Sequence, residues 1–211
     1  MTKIEICNMA LSYVGSDTVS TLDVDSNNDP SKRKQIQQCN LHFNNVRDMI
    51  LRRYRWKSTL KRVKLVMDTV TPEFEWRYQY HLPDDYLRIL YTSQQSEPFT
   101  IEGRFLFANC KDLSIRYIKR VVNYGELDSY CIECIALMLA SRMCVSLRGT
   151  DGPAVKQQLL EEFHNTVLPE AKASNVLESV EHDRLRINPG EWVESRAFGR
   201  PFDDLRLTSP I

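Results

Sequence analysis

The chain has 211 residues, the length of one or two domains, and 42% of them are apolar, enough to bury a core. Its 28 basic and 28 acidic residues cancel, so the total charge does not argue for a nucleic-acid partner and any electrostatic argument must be local. We expect no secretory leader, and the six cysteines favour reduced thiols in the cytosol over a disulfide framework. The longest apolar run, 135–140, is far shorter than the roughly 20 residues that cross a bilayer, so no membrane span is expected.

The first predicted helix covers residues 2–15. Thr2 and Glu5 have the spacing of a capping box, apolar residues follow at steps of three and four, and Gly15 is a typical helix stop. The polar residues 16–28 then predict a loop.

A second helix is predicted to begin after Asp29, because Pro30 is favourable in the first turn of a helix, and to end at about Tyr54. Its apolar residues recur at helical spacing and predict one buried face: Ile36, Cys39, Phe43, Val46, Ile50 and Tyr54.

The middle of the chain changes to a period of two. Aromatic and polar residues alternate from Phe74 to Tyr80, which predicts a half-buried strand closed by Pro83. Further short strands are predicted over 86–91, 99–107 and 113–118, with a turn at 109–112 joining the last two. We therefore expect one antiparallel sheet of three or four strands.

Helical spacing returns after the strands. An apolar helix is predicted from about Leu127 to Leu147, with a stop at Gly149. An amphipathic helix follows Pro153, and Pro169 should kink or break it.

These elements predict an α+β fold class: a mainly helical bundle core with an inserted antiparallel β block and an extended C-terminal arm. The predicted core comprises 1–71 and 119–182, the strand block 72–118, and the arm 183–211. The arm has no periodicity and contains three prolines, so we expect it to be ordered only on a partner.

No motif in the sequence predicts catalysis. Cys131 and Cys134 form a CxxC pair, but they lie in an apolar helical pattern without further metal ligands at similar spacing, so packing is the favoured interpretation. The paired acids at 84–85 and 203–204 are interpreted as turn and solvent positions. The four histidines stand singly, and we expect no enzyme activity, no metal and no other cofactor.

One local charge asymmetry remains. Between Ser31 and Lys64 eleven residues are basic and one, Asp48, is acidic, a balance of +10, so the rest of the chain carries −10. Two interpretations stay open: a solvated helix face, or a strip that meets phosphates or an acidic partner surface. A chain of this kind could also stack on copies of itself, basic side against acidic side, as in a ring.

The order of several short motifs resembles the head-to-tail adaptor of short-tailed bacteriophages, the tail tubular protein A family. Its first helix and following loop are matched by Ile4, Cys7, Asn8, Ala10, Leu11, Gly15 and Leu22. Its second helix, which ends on a tryptophan, is matched by Cys39, Phe43, Val46, Arg47, Asp48, Leu51 and Trp56. Later blocks are matched by Tyr80, Leu82, Pro83, Asp84, Leu87, Tyr117, Ala136, Leu139 and Ala140. The chain departs from the family pattern at Ser58, Thr59 and Pro169.

The resemblance implies a non-enzymatic virion protein, assembled in the host cytoplasm. Twelve copies would form a ring that docks beneath the portal after DNA packaging, receives the tail nozzle and leaves a central channel for DNA. A charged interface or channel wall is then expected at Arg52, Arg53, Arg55, Lys57, Lys61, Arg62 and Lys64. Ring or nozzle contacts are expected at Trp76 and Tyr78, and portal or neighbouring-subunit contacts at Trp192, Arg196, Phe198 and Arg200.

An alternative from another class stays open. The basic segment 31–64 could belong to a cytosolic nucleic-acid-binding regulator. Such a regulator would usually be a dimer with salt-dependent DNA affinity, whereas the adaptor would form a large closed assembly.

Overall fold

The computed structural model describes residues 1–24, 32–94 and 96–177. The helices are α1 (Lys3–Val14), α2 (Arg33–Arg53), α3 (Ser129–Arg148), α4 (Gly152–Glu162) and α5 (Leu168–Leu177). The strands are β1 (Leu60–Lys64), β2 (Tyr78–His81), β3 (Tyr86–Thr92), β4 (Phe99–Glu102), β5 (Phe105–Ala108) and β6 (Ser114–Lys119). Helices thus flank a run of strands, and the predicted α+β class is confirmed.

The predicted ends of α1 are confirmed. The hydroxyl of Thr2 accepts from the backbone N–H of Glu5 at 3.3 Å, and the carboxylate of Glu5 accepts from the backbone N–H of Thr2 at 3.0 Å. Gly15 has φ of 71°, the left-handed conformation that ends a helix at low steric cost. The predicted start of the second helix at Asp29 and Pro30 lies outside the described residues, and α2 ends one residue before Tyr54.

Helix α3 is the centre of the helical part, since α1, α2 and α4 all pack against it. Its N-terminus is capped by Asp128, whose carboxylate accepts from the backbone N–H of Tyr130 at 3.1 Å. The continuous helical stretch Ser129–Val176 is long enough, and in one 18-residue window apolar enough (mean hydropathy 1.6), to cross a membrane by length and composition. However, 67% of its apolar window is buried inside the fold, as in a core helix.

Pro169 was predicted to kink or break the last helix, and the helix is not broken there. The chain passes from α4 through a π-helical turn, Phe163–Val167, directly into α5. The N–H of Leu168 donates to the carbonyl of Phe163 across this wider turn. A π-helical turn just before a proline relieves the clash of its ring with the preceding turn.

The strands form two three-stranded antiparallel sheets instead of the one predicted. Their orders are β1-β6-β3 and β2-β5-β4. Strands β5 and β6, which the predicted turn at 109–112 connects, therefore lie in different sheets. Strand β1 was not predicted, and it precedes the predicted start of the strand block at residue 72. The single strand predicted over 99–107 is two strands, β4 and β5. Gly103, with φ of 60°, allows the tight reversal between them.

The predicted strand 74–80 begins four residues later, at Tyr78. Glu75 has φ of 63°, and the N–H of Trp76 donates to the carbonyl of Phe74 at 2.7 Å, so the chain makes a γ-turn there. Alternation of aromatic and polar residues carries no information on the φ of the residue between two aromatics, so it could not reveal this turn.

Strand β6 separates two hydrophobic clusters. Ile118 belongs to the cluster that includes the helices, whereas Ile115 and Tyr117 belong to a second cluster with residues of the β2-β5-β4 sheet. This alternation follows from the pleat, in which successive side chains point to opposite faces. The β1-β6-β3 sheet therefore has one face toward the second sheet, and its other face meets the helices near Leu60 and Ile118.

Candidate nucleic-acid and subunit interfaces

The basic residues of the predicted strip occupy three consecutive elements. Arg52 and Arg53 are exposed in the last turn of α2. Arg55 and Lys57 are half-buried in the connection to β1, and three exposed cations lie on that strand: Lys61, Arg62 and Lys64.

Several cations of the basic segment have acidic partners, so its local charge is smaller than the balance of +10 counted along the sequence. The ammonium of Lys61 lies 2.9 Å from a carboxylate oxygen of Asp85, and that of Lys64 lies 2.7 Å from Asp112. The guanidinium of Arg47 lies 2.8 Å from Asp48. Two of these acids are distant in sequence, so local charge counting could not reveal them.

Lys57 has a structural role. Its backbone N–H donates to the side chain of Asn175 at 3.0 Å, and its ammonium donates to the carbonyl of Val176 at 3.2 Å. Asn175 in turn donates to the carbonyl of Arg55 at 2.7 Å. These bonds hold the end of α5 against the α2–β1 connection, so Lys57 has a structural contact in addition to its charge.

Two guanidinium groups lie over the ring of Tyr91. The Cζ atom of Arg116 is 4.9 Å from the centre of the Tyr91 ring, and that of Arg55 is 5.1 Å from it. A guanidinium nitrogen of Arg55 also donates to the Tyr91 hydroxyl at 3.1 Å. Neither Tyr91 nor Arg116 was predicted as a site residue, because the register of the strands that carry them is not readable from the sequence.

Arg62 faces Arg116 directly across the β1–β6 ladder. Among the described residues neither has an acidic side chain within ion-pair distance, and the Nε of Arg116 is buried without a hydrogen-bond partner. The fold thus gathers cations from the predicted strip and one from β6 on a single face.

On the opposite face, Asp85 accepts two hydrogen bonds. The buried hydroxyl of Tyr117 donates at 2.7 Å and the ammonium of Lys61 at 2.9 Å. Burial alone would raise the pKa of Asp85, but these two donors outweigh it and the pKa is lowered. Burial and the hydrogen bond to Asp85 raise the pKa of Tyr117 to about 12. Asp85 therefore has a structural role, and its neighbour Asp84 is exposed beside Arg104.

Replacing Tyr117 with Phe is expected to lower the free energy of unfolding by about 1–3 kcal/mol at pH 7, since Asp85 loses a buried donor. The wild-type pKa rises from 10.0 to about 12 on folding, so this group's stabilisation is complete below pH 10 and is lost as the pH rises to about 12. The difference between wild type and variant should therefore shrink over that window, as measured by chemical unfolding. A constant difference from pH 8 to 12 would contradict the assignment.

The β1–β2 connection is unusually apolar for an exposed segment. Val66 is 79% exposed, Val70 61% and Phe74 74%. Trp76 is half-buried, and Tyr78 packs against the second hydrophobic cluster. Among the residues that the structure describes, Phe74 is the most exposed aromatic; it was predicted to lie in a strand and was not predicted as a contact.

Cys131 and Cys134 lie in the buried part of α3, as predicted. Burial raises the pKa of Cys131, and burial followed by the nearby Glu133 and Asp128 raises that of Cys134 to about 12. Both thiols are therefore protonated at neutral pH, which disfavours nucleophilic chemistry. Within residues 1–24, 32–94 and 96–177 no group of three His, Cys, Asp or Glu side chains is placed to hold a metal ion.

The predicted partner-binding residues of the arm, Trp192, Arg196, Phe198 and Arg200, lie outside the described residues. Asp203 and Asp204 lie there as well. Their roles stay predictions.

No protein-family model matches this chain, and no curated protein matches it either. The resemblance to the phage adaptor family therefore rests on the sequence motifs alone.

Proposed function

We propose that the chain is a structural virion protein, a head-to-tail adaptor that forms a ring between the portal and the tail nozzle with a central channel for DNA. The order of sequence motifs supports this proposal. In it, residues 1–71 and 119–182 act as a helical bundle core, and the arm 183–211 binds the portal or a neighbouring subunit.

The exposed apolar β1–β2 connection is the observation that carries the proposal. Contiguous exposed apolar side chains are typical of protein–protein contacts, because solvating them is unfavourable in a monomer. Val66, Val70 and Phe74 lie within nine residues on one connection, and the half-buried Trp76 follows two residues after Phe74. A surface of this kind that meets a different surface of the next copy gives a head-to-tail contact, which closes into a ring when the rotation permits.

The mass of the assembly tests the proposal. Mass photometry and electron microscopy of the purified chain, alone and mixed with its portal, should give a closed ring of about twelve chain masses in at least the second sample. A stable dimer in both samples, with no complex on the portal, would contradict it.

The alternative, a nucleic-acid-binding regulator, is favoured by one observation: Arg62 and Arg116 share a face without an acidic partner among the described residues. The same mass measurement separates the two proposals, since a regulator of this kind is expected as a dimer with or without portal.

A further inference from the structure

Three neighbouring strands align cations and an aromatic ring in one row across the β1-β6-β3 sheet. Arg62 of β1 lies opposite Arg116 of β6, and Arg116 lies opposite Tyr91 of β3. Residues that are partners across a ladder lie on the same face of a sheet. We infer that this row, together with Arg55, is a binding site for the phosphate groups of a nucleic-acid backbone.

The pairing of Arg62 with Arg116 is unfavourable in the free chain. Like charges directly opposite on antiparallel strands destabilise a sheet, and the described residues supply no carboxylate to separate these two. Lys61 and Lys64, on the same strand, each have an acidic partner. The repulsion at Arg62 and Arg116 is relieved when an anion binds between them.

Tyr91 orients the guanidinium groups that would contact this anion. Its ring lies 4.9 Å from the Cζ of Arg116 and 5.1 Å from that of Arg55. For Arg116, stacking on the Tyr91 ring fixes the plane of the guanidinium group, and a planar guanidinium can donate in pairs to a phosphate. The Nε of Arg116 is buried, so the terminal guanidinium nitrogens are the donors that would contact the phosphate.

The positive surface extends beyond one anion. Arg88 shares the face of Tyr91 by register, and its guanidinium donates to the carbonyl of Arg52 at the end of α2 at 3.4 Å. Arg52 and Arg88 are both exposed. A surface with this many cations, the row together with Arg52 and Arg88, fits a polyanion with regularly spaced charges better than a single carboxylate or a free phosphate ion. As a contact for DNA in the channel the site rests on the proposed function, but the full-length chain tests it without any ring.

The experiment measures binding of a 20-base-pair DNA duplex by fluorescence anisotropy as a function of salt. Arg62→Ala is expected to weaken binding about 5–10-fold at 0.1 M salt and to lower the slope of log K against log salt by about 1. Arg116→Lys keeps the charge but loses the planar fork, so we expect a loss of affinity with little change in slope. The matched control is Arg77→Ala, which removes one exposed charge before β2, outside this row, and should change neither quantity.

Folding and the other anions provide the remaining readouts. Because Arg62 is exposed and faces a like charge, Arg62→Ala should leave the melting temperature unchanged or raise it. Polyaspartate and inorganic phosphate at equal charge concentration should displace the duplex poorly. The inference is overturned if Arg62→Ala and Arg77→Ala have equal effects on duplex binding, or if the wild type does not bind the duplex. It is also overturned if polyaspartate or inorganic phosphate displaces the duplex efficiently. The mass of the assembly, measured in the same samples, shows independently whether a ring has formed.

Discussion

Replacing Gly152 with alanine is expected to lower the free energy of unfolding by about 2–3 kcal/mol. A Cβ atom at this position would lie 2.5 Å from the Cα of Val145 and 2.9 Å from the carbonyl oxygen of Cys144, both backbone atoms of α3. Because backbone cannot rotate away like a side chain, the start of α4 must move from α3. Urea unfolding followed by circular dichroism measures the change.

The control for this prediction is Gly125→Ala. The nearest atom to a Cβ there is the side-chain oxygen of Asn123 at 3.4 Å, so we expect a change within about 0.5 kcal/mol. Intrinsic helix propensity alone gives the opposite sign for Gly152→Ala, since alanine is favoured over glycine by about 1 kcal/mol inside a helix. A stabilised Gly152→Ala variant would therefore show that α3 and α4 are not packed this closely.

Replacing Phe74 with aspartate is expected to weaken ring assembly by at least about 30-fold in the subunit concentration required, because a buried aromatic anchor contributes about 2 kcal/mol or more to a contact. The side chain is 74% exposed in the isolated chain, so monomer stability should change by no more than about 0.5 kcal/mol. Sedimentation velocity and thermal unfolding measure the two effects separately. Trp76→Ala should also weaken assembly more than monomer folding.

The matched control is Val122→Asp, which adds the same charge at a residue that is 72% exposed outside the β1–β2 connection. It should assemble like the wild type. If both aspartate variants assemble normally, the apolar connection is not a subunit contact. If Phe74→Asp lowers the melting temperature of the monomer instead, this connection belongs to the folded core.

The helices were predictable because their signals are local. The capping box of Thr2 and Glu5, the stop at Gly15 and the stop at Gly149 each depend on residues within one or two turns. The buried face of α2 was also predictable, since helical spacing places its apolar residues on one face whatever the helix packs against.

The strands were less predictable because a strand is completed by its partner. The alternation from Phe74 to Tyr80 is real, but Glu75 makes a turn there and only the last residues pair. In the sequence, β1 is part of the basic segment, and its pairing with β6 joins residues at least 50 positions apart. Which strands share a sheet depends on such long-range hydrogen bonds, which no local pattern contains.

The sequence by itself determined the α+β class, the ends of α1 and α3, the burial of the cysteines in α3 and the presence of a strongly basic segment. Only the tertiary structure decided which of those charges are neutralised, because Asp85 and Asp112 reach Lys61 and Lys64 from elsewhere in the chain. It also placed Arg116 between Arg62 on one neighbouring strand and Tyr91 on the other. Electrostatic attraction and ladder register act through space, so charge counting along the chain could find the basic segment but not which of its cations have acidic partners.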